Sequence, residues 1–75
     1  MDKNNSFHYG ALTKTELAQL YFPERLPASA RRKLNYWIAH NKQLTECLVL
    51  TGYKPRNIEL TPAQVDLIIE YLGEP

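Results

Sequence analysis

Apolar positions recur along this chain at helical spacing. Leu17, Leu20 and Tyr21 stand at i, i+3 and i+4, one face of a helix. Ala30, Leu34, Trp37 and Ile38 make a second stripe that covers roughly a third of a helix circumference. Leu44, Cys47, Leu48 and Thr51 make a third, and Val65, Ile68, Ile69 and Leu72 a fourth. These stripes predict helices over residues 13–21, 28–40, 42–51 and 62–72. Residues 53–60 carry no such period, and Pro55 bars a helix there, so this stretch reads as an extended arm or small wing.

The helix ends are marked as clearly as the faces. Leu12-Thr13-Lys14-Thr15-Glu16-Leu17 and Leu60-Thr61-Pro62-Ala63-Gln64-Val65 share one pattern: apolar, Thr, two spacers, Glu or Gln, apolar. This is a capping box within a hydrophobic staple, in which the Thr hydroxyl accepts from the backbone three residues on and the Glu or Gln reaches back. Asn41 is a suitable N-cap for the third helix. Pro27 suits the first turn of the second, and Gly52 suits the position just past the third.

The expected fold is therefore all-α. Four short helices surround one small core, helices one and two form an irregular helix-turn-helix, and an extended arm precedes the last helix. Residues 1–6 are largely polar, and residues 1–8 read as a disordered or extended arm, followed by a single helical domain over 9–75. The expected core is Leu17, Leu34, Trp37, Ile38, Leu48, Val65, Ile68 and Leu72. A domain of 75 residues has a thin core, burying only about 60% of the surface its unfolded chain exposes.

Charge changes this picture more than composition does. The net charge of +1 hides a strong asymmetry. Residues 25–56 hold Arg25, Arg31, Arg32, Lys33, Lys42, Lys54 and Arg56 against Glu46 alone. Residues 57–75 hold Glu59, Asp66, Glu70 and Glu74 and no base. A basic middle beside an acidic end suits a polyanion-facing surface, or two faces that attract one another within the molecule or between copies. No apolar run is long enough for a membrane span, and a single cysteine, Cys47, forms no internal disulfide. The expected compartment is the cytoplasm.

Candidate chemistry centres on the first two helices. A capped helix Thr-x-x-Glu-Leu-Ala, a turn, and a basic helix ending in Trp37-Ile38 is how many helix-turn-helix DNA readers begin. Arg32, Asn35 and Tyr36 lie opposite the apolar stripe of the second helix, with Arg31 at its edge. Arg pairs with guanine and Asn with adenine in the major groove. Lys14, Lys54 and Arg56 are the candidates to hold phosphates. The connecting turn departs from the motif, being longer than the usual three or four residues and holding Pro23 and Pro27.

Enzymatic readings are weaker. Cys47 belongs to an apolar face, where a cysteine usually packs. His8 and His40 have no partners at metal-ligand spacing, and no glycine-rich phosphate loop is present. The residues point to no enzyme, no cofactor, no metal and no small-molecule ligand.

Several runs together resemble a known family. They are Tyr9-Gly10, Glu16-Leu17-Ala18-Gln19-Leu20-Tyr21-Phe22-Pro23, Ser29-Ala30, Arg32-Lys33-Leu34, Trp37-Ile38, Thr51-Gly52-Tyr53, Leu60-Thr61-Pro62 with Gln64-Val65, and the closing Glu70-Tyr71-Leu72-Gly73-Glu74-Pro75. The family is one of short proteins from Bacteroides-type gut bacteria, with a domain of unknown function numbered 4248. The resemblance implies a small intracellular bacterial protein and carries no activity, ligand or catalytic residue. Helices one and two are also distantly similar to excisionase-like and other helix-turn-helix regulators. The functional expectation is a small DNA-binding accessory or regulatory protein that uses the basic outer face of helix two. The alternative is a protein-interaction or homodimerisation module with no nucleic-acid role. The expected partners are accordingly duplex DNA or a second copy of the chain.

Overall fold

A computed structural model of the chain describes residues 9–75. The arm expected over residues 1–8 lies outside them. The described residues run β1 (Leu12–Thr13), α1 (Lys14–Tyr21), α2 (Pro27–Ala39), α3 (Lys42–Leu50), β2 (Glu59–Leu60) and α4 (Pro62–Leu72). The fold is helical, as the periodicity predicts, and three of the four helices differ from the expected bounds by a residue at one or both ends.

Both capping boxes form. The Thr13 hydroxyl accepts from Glu16 N at 3.0 Å, and Thr13 N donates to Glu16 Oε1 at 2.9 Å. The Thr61 hydroxyl accepts from Gln64 N at 3.2 Å, and Thr61 N donates to Gln64 Oε1 at 3.0 Å. Asn41 caps α3 through Leu44 N at 3.0 Å. Gln64, itself buried, donates onward to the Thr51 hydroxyl at 3.0 Å and so joins the start of α4 to the end of α3.

The two boxes are also joined to each other. Leu12 pairs with Leu60, and Thr13 with Glu59, in an antiparallel two-stranded ladder. Lys14 N extends it by donating to Ile58 O at 2.7 Å. The leucine that precedes each cap thus sits opposite its counterpart, so α1 and α4 start from a shared anchor. Of the arm expected over residues 53–60, only Glu59 and Leu60 form strand.

The core runs through all four helices. Leu17, Ala18, Ala30, Leu34, Ile38, Leu44, Leu48, Tyr53, Leu60, Val65, Ile68 and Ile69 are buried together. Ala18 and Ala30, both fully buried, let α1 and α2 approach closely. Two expected core members sit further out. Leu72 is half-buried and packs against the cluster from its edge. Trp37 is also half-buried, because α2 turns it toward Tyr21 and Phe22. It meets Phe22 edge-on, with ring centroids 4.8 Å apart, and Tyr21 at 6.2 Å. The three rings close the seam at the C-terminal end of α1. Leu20, placed on the inner face by spacing, is 44% exposed instead.

Candidate anion-binding cleft

The helix stop at Gly52 helps build a basic cleft beside α1 and α2. Tyr53 N donates to Leu48 O at 3.2 Å and Gly52 N to Val49 O at 3.0 Å, the paired bonds of a Schellman motif. The motif needs a left-handed residue, which Gly52 supplies with φ of +88°. The chain then turns inward and buries Tyr53. A tight turn follows: Asn57 N donates to Lys54 O and Lys54 N to Asn57 Oδ1, both at 2.9 Å. Pro55 takes the second turn position, which its fixed φ suits, and Arg56 the third.

Lys14 docks into this arrangement. It is 1% exposed, and its ammonium donates to the Tyr53 hydroxyl at 2.5 Å and to Pro55 O at 2.8 Å. Both acceptors are neutral. Burial, and then the nearby positive charge of Arg31, pull the Lys14 pKa down from 10.5 to about 8. Burial likewise raises that of Tyr53.

Above Lys14 lies a cleft of about 370 Å³. Its walls are Lys14 and Thr15 from α1, Arg31 and Asn35 from α2, and Pro55, Arg56, Asn57 and Ile58 from the turn. Among the described residues, no carboxylate lines it. Arg31 reaches across to the Thr15 hydroxyl at 3.4 Å, a long contact that leaves most of its donors free.

A second basic surface lies on another side of α2. Arg25, Ser29, Arg32, Lys33 and Tyr36 line a shallow depression there. Arg25 donates to the Ser29 hydroxyl at 3.1 Å, and the Lys33 ammonium lies 5.5 Å from the Phe22 ring centre. Tyr36 is 60% exposed and lies against His40, with ring centroids 4.0 Å apart.

The family profile described as Domain of unknown function (DUF4248) matches residues 8–75. The chain belongs to the DUF4248 family. No curated protein and no solved structure matches it.

The DUF4248 chain divides its seven candidate residues between places. Lys14, Arg31, Asn35 and Arg56 come together in the cleft. Arg32 and Tyr36 lie in the second depression, and Lys54 lines a third hollow with Pro55 and Arg56. The four on the second helix therefore do not share one face, since Arg31 and Asn35 turn toward the cleft beside α1 while Arg32 and Tyr36 turn away. Lys14 differs from the expectation in its exposure. A lysine at the first turn of an amphipathic helix reads as an exposed phosphate holder, but here its ammonium is drawn inside by Tyr53 and Pro55. Thr15, Asn57 and Tyr53 were not among the candidates. Only Tyr53 had a local signal, because the residue after a helix-ending glycine commonly packs back on the helix.

Among the described residues no helix is long and apolar enough to cross a membrane. Nor, among them, do three His, Cys, Asp or Glu side chains gather where a metal ion could be held.

Proposed function

We propose that this DUF4248 domain is a small DNA-binding accessory or regulatory protein that sets the exposed face of α2 against a duplex. The observation that carries the reading is the strip of Arg25, Arg32, Lys33 and Tyr36 along one side of α2. Arg32 and Tyr36 are exposed, and the hydrogen bonds of Arg25 and Arg31 go to hydroxyls and not to carboxylates. Guanidinium and ammonium groups left free in this way suit phosphate and base edges. Asn35 is half-buried at the cleft margin, within reach of an adenine only from that side. The close α1–α2 contact at Ala18 and Ala30 resembles a helix-turn-helix, with residues 22–26 as a lengthened turn. The proposal puts the protein in the bacterial cytoplasm, in keeping with the free thiol of Cys47.

A fluorescence titration over mixed-sequence duplexes at low salt tests this. Binding should weaken as salt rises, by a log–log slope near −0.9 for each phosphate contacted. Arg32→Ala should weaken binding and relax sequence preference, whereas Lys54→Ala should weaken it evenly. No binding at tens of micromolar, about the non-specific range, would favour the interaction-module reading. That alternative draws on Val49 and Leu50, which are 58% and 86% exposed side by side at the end of α3.

A further inference from the structure

We propose that the cleft between α1, α2 and the turn 54–57 is a binding site for a phosphate group. The inference goes beyond the duplex reading and does not depend on it, since the strip of Arg25, Arg32 and Lys33 lies on another side of α2. It also departs from the residues alone, which pointed to no small-molecule ligand.

Three cations from three separate parts of the chain converge here: Lys14, Arg31 and Arg56. Among the described residues no carboxylate lines the cleft to answer their charge. Like charges repel, and a fold does not gather them without a compensating anion unless some other contact holds them. Among the described residues, the one side-chain hydrogen bond made by Arg31 or Arg56 is the long one from Arg31 to Thr15.

Lys14 is the strongest part of the case. A buried ammonium is costly unless it is both hydrogen-bonded and charge-paired. Tyr53 and Pro55 meet the first need and not the second, because both are neutral. An anion in the cleft would supply the missing charge. Lys14 would then be the floor of the site, acting through its field, while Arg31 and Arg56 make the direct contacts. The Thr15 hydroxyl and the Asn35 and Asn57 side chains add neutral donors around the rim.

The chemistry selects phosphate over carboxylate. One planar guanidinium already matches a carboxylate edge to edge. Cations approaching from three directions match the several oxygens and the nearly two negative charges of a phosphate monoester. The cleft, at about 370 Å³, lies toward the lower end of the range for small-ligand sites and has room for a phosphate with part of the group that bears it.

The test is an NMR titration of the full chain with sodium phosphate at fixed ionic strength, with sodium chloride as the control. The site is upheld if the amides of Thr15, Arg31, Asn35 and Asn57 shift and saturate with phosphate but not chloride. Arg56→Gln, on an exposed turn, should leave the melting temperature unchanged and weaken phosphate binding at least about tenfold. Phosphate should also raise the Lys14 pKa, read from its side-chain carbons. The site is overturned if chloride gives the same shifts, if the shifts centre on Arg25, Arg32 and Lys33, or if Arg56→Gln binds phosphate as well as the parent. Two further arms identify the source and uphold the site whichever binds: a nucleoside 5′-monophosphate, and a short duplex without terminal phosphates as competitor. Duplex binding that is lost in Arg32→Ala but kept in Arg56→Gln belongs to the α2 strip, so the two proposals fail separately.

Discussion

The Lys14 ammonium is held by the Tyr53 hydroxyl, 39 residues away in sequence, at 2.5 Å. The same ammonium is 4.6 Å from the ring centre, a distance set by its approach to the hydroxyl end. Tyr53→Phe would leave that buried ammonium one acceptor short. It should cost about 1–3 kcal/mol, the penalty for an unsatisfied buried donor. Lys14→Met removes the charge along with its need for partners and should cost less than Tyr53→Phe, or even stabilise. Urea denaturation of both variants checks the order, and the reverse order would mean that the lysine charge itself supports the fold.

Stability should also depend on pH in a particular direction. Lys14 titrates at about 8 in the folded chain and at 10.5 ordinarily. Between those values the unfolded chain binds more protons, so stability rises with pH. Burial holds the Tyr21 pKa up near 12 against an ordinary 10.0, which makes stability fall as pH climbs through that second range. Urea midpoints should therefore rise from neutral pH to a maximum near pH 10 and then decline. Lys14→Met should abolish the rise and keep the decline.

Thr13→Ala and Thr61→Ala should each cost about 1 kcal/mol, as lost N-caps do. Because Leu12 and Leu60 are paired, the two caps lie on one short ladder. Their effects should fail to add by roughly 0.5 kcal/mol or more in a double-mutant cycle. Strict additivity would show that the ladder does not couple the two helix starts.

Leu34 and Trp37 should rank against the usual order of side-chain size. Leu34 is fully buried, while Trp37 is half-buried against Tyr21 and Phe22. Leu34→Ala should cost about 2–5 kcal/mol. Trp37→Ala should fall at or below the low end of the 3–5 kcal/mol typical of large core aromatics. Thermal melts of the two variants give the comparison.

Local features of this chain were legible in its sequence, and non-local ones were not. Thr13 with Glu16 and Thr61 with Gln64 are separated by three residues, and that spacing alone specifies a capping box. The α4 bounds follow from Thr61, Pro62 and Gly73 in the same way. The Leu12–Leu60 pairing has no such marker, because two residues of ladder leave no period to read. Trp37 shares the angular sector of Leu34, and only the neighbouring rings explain why it stays at the edge. Half of the candidate cleft was in view as Lys14, Arg31, Asn35 and Arg56. What brings them together, the Gly52 stop and the turn after it, acts at a distance that residue types do not reveal.

The ladder between Leu12 and Leu60 also bears on how the chain reaches its native state. Contacts within α1–α2 and α2–α3 close short loops and need little ordering beforehand. The Leu12–Leu60 pair closes a loop that holds three of the four helices, and loop-closure entropy must be overcome before it gains anything. The anchoring strand pair is then expected to form late, on helices already docked. Substitutions at Leu12 or Leu60 should chiefly hasten unfolding, whereas those at Ala18 or Ala30 should slow refolding.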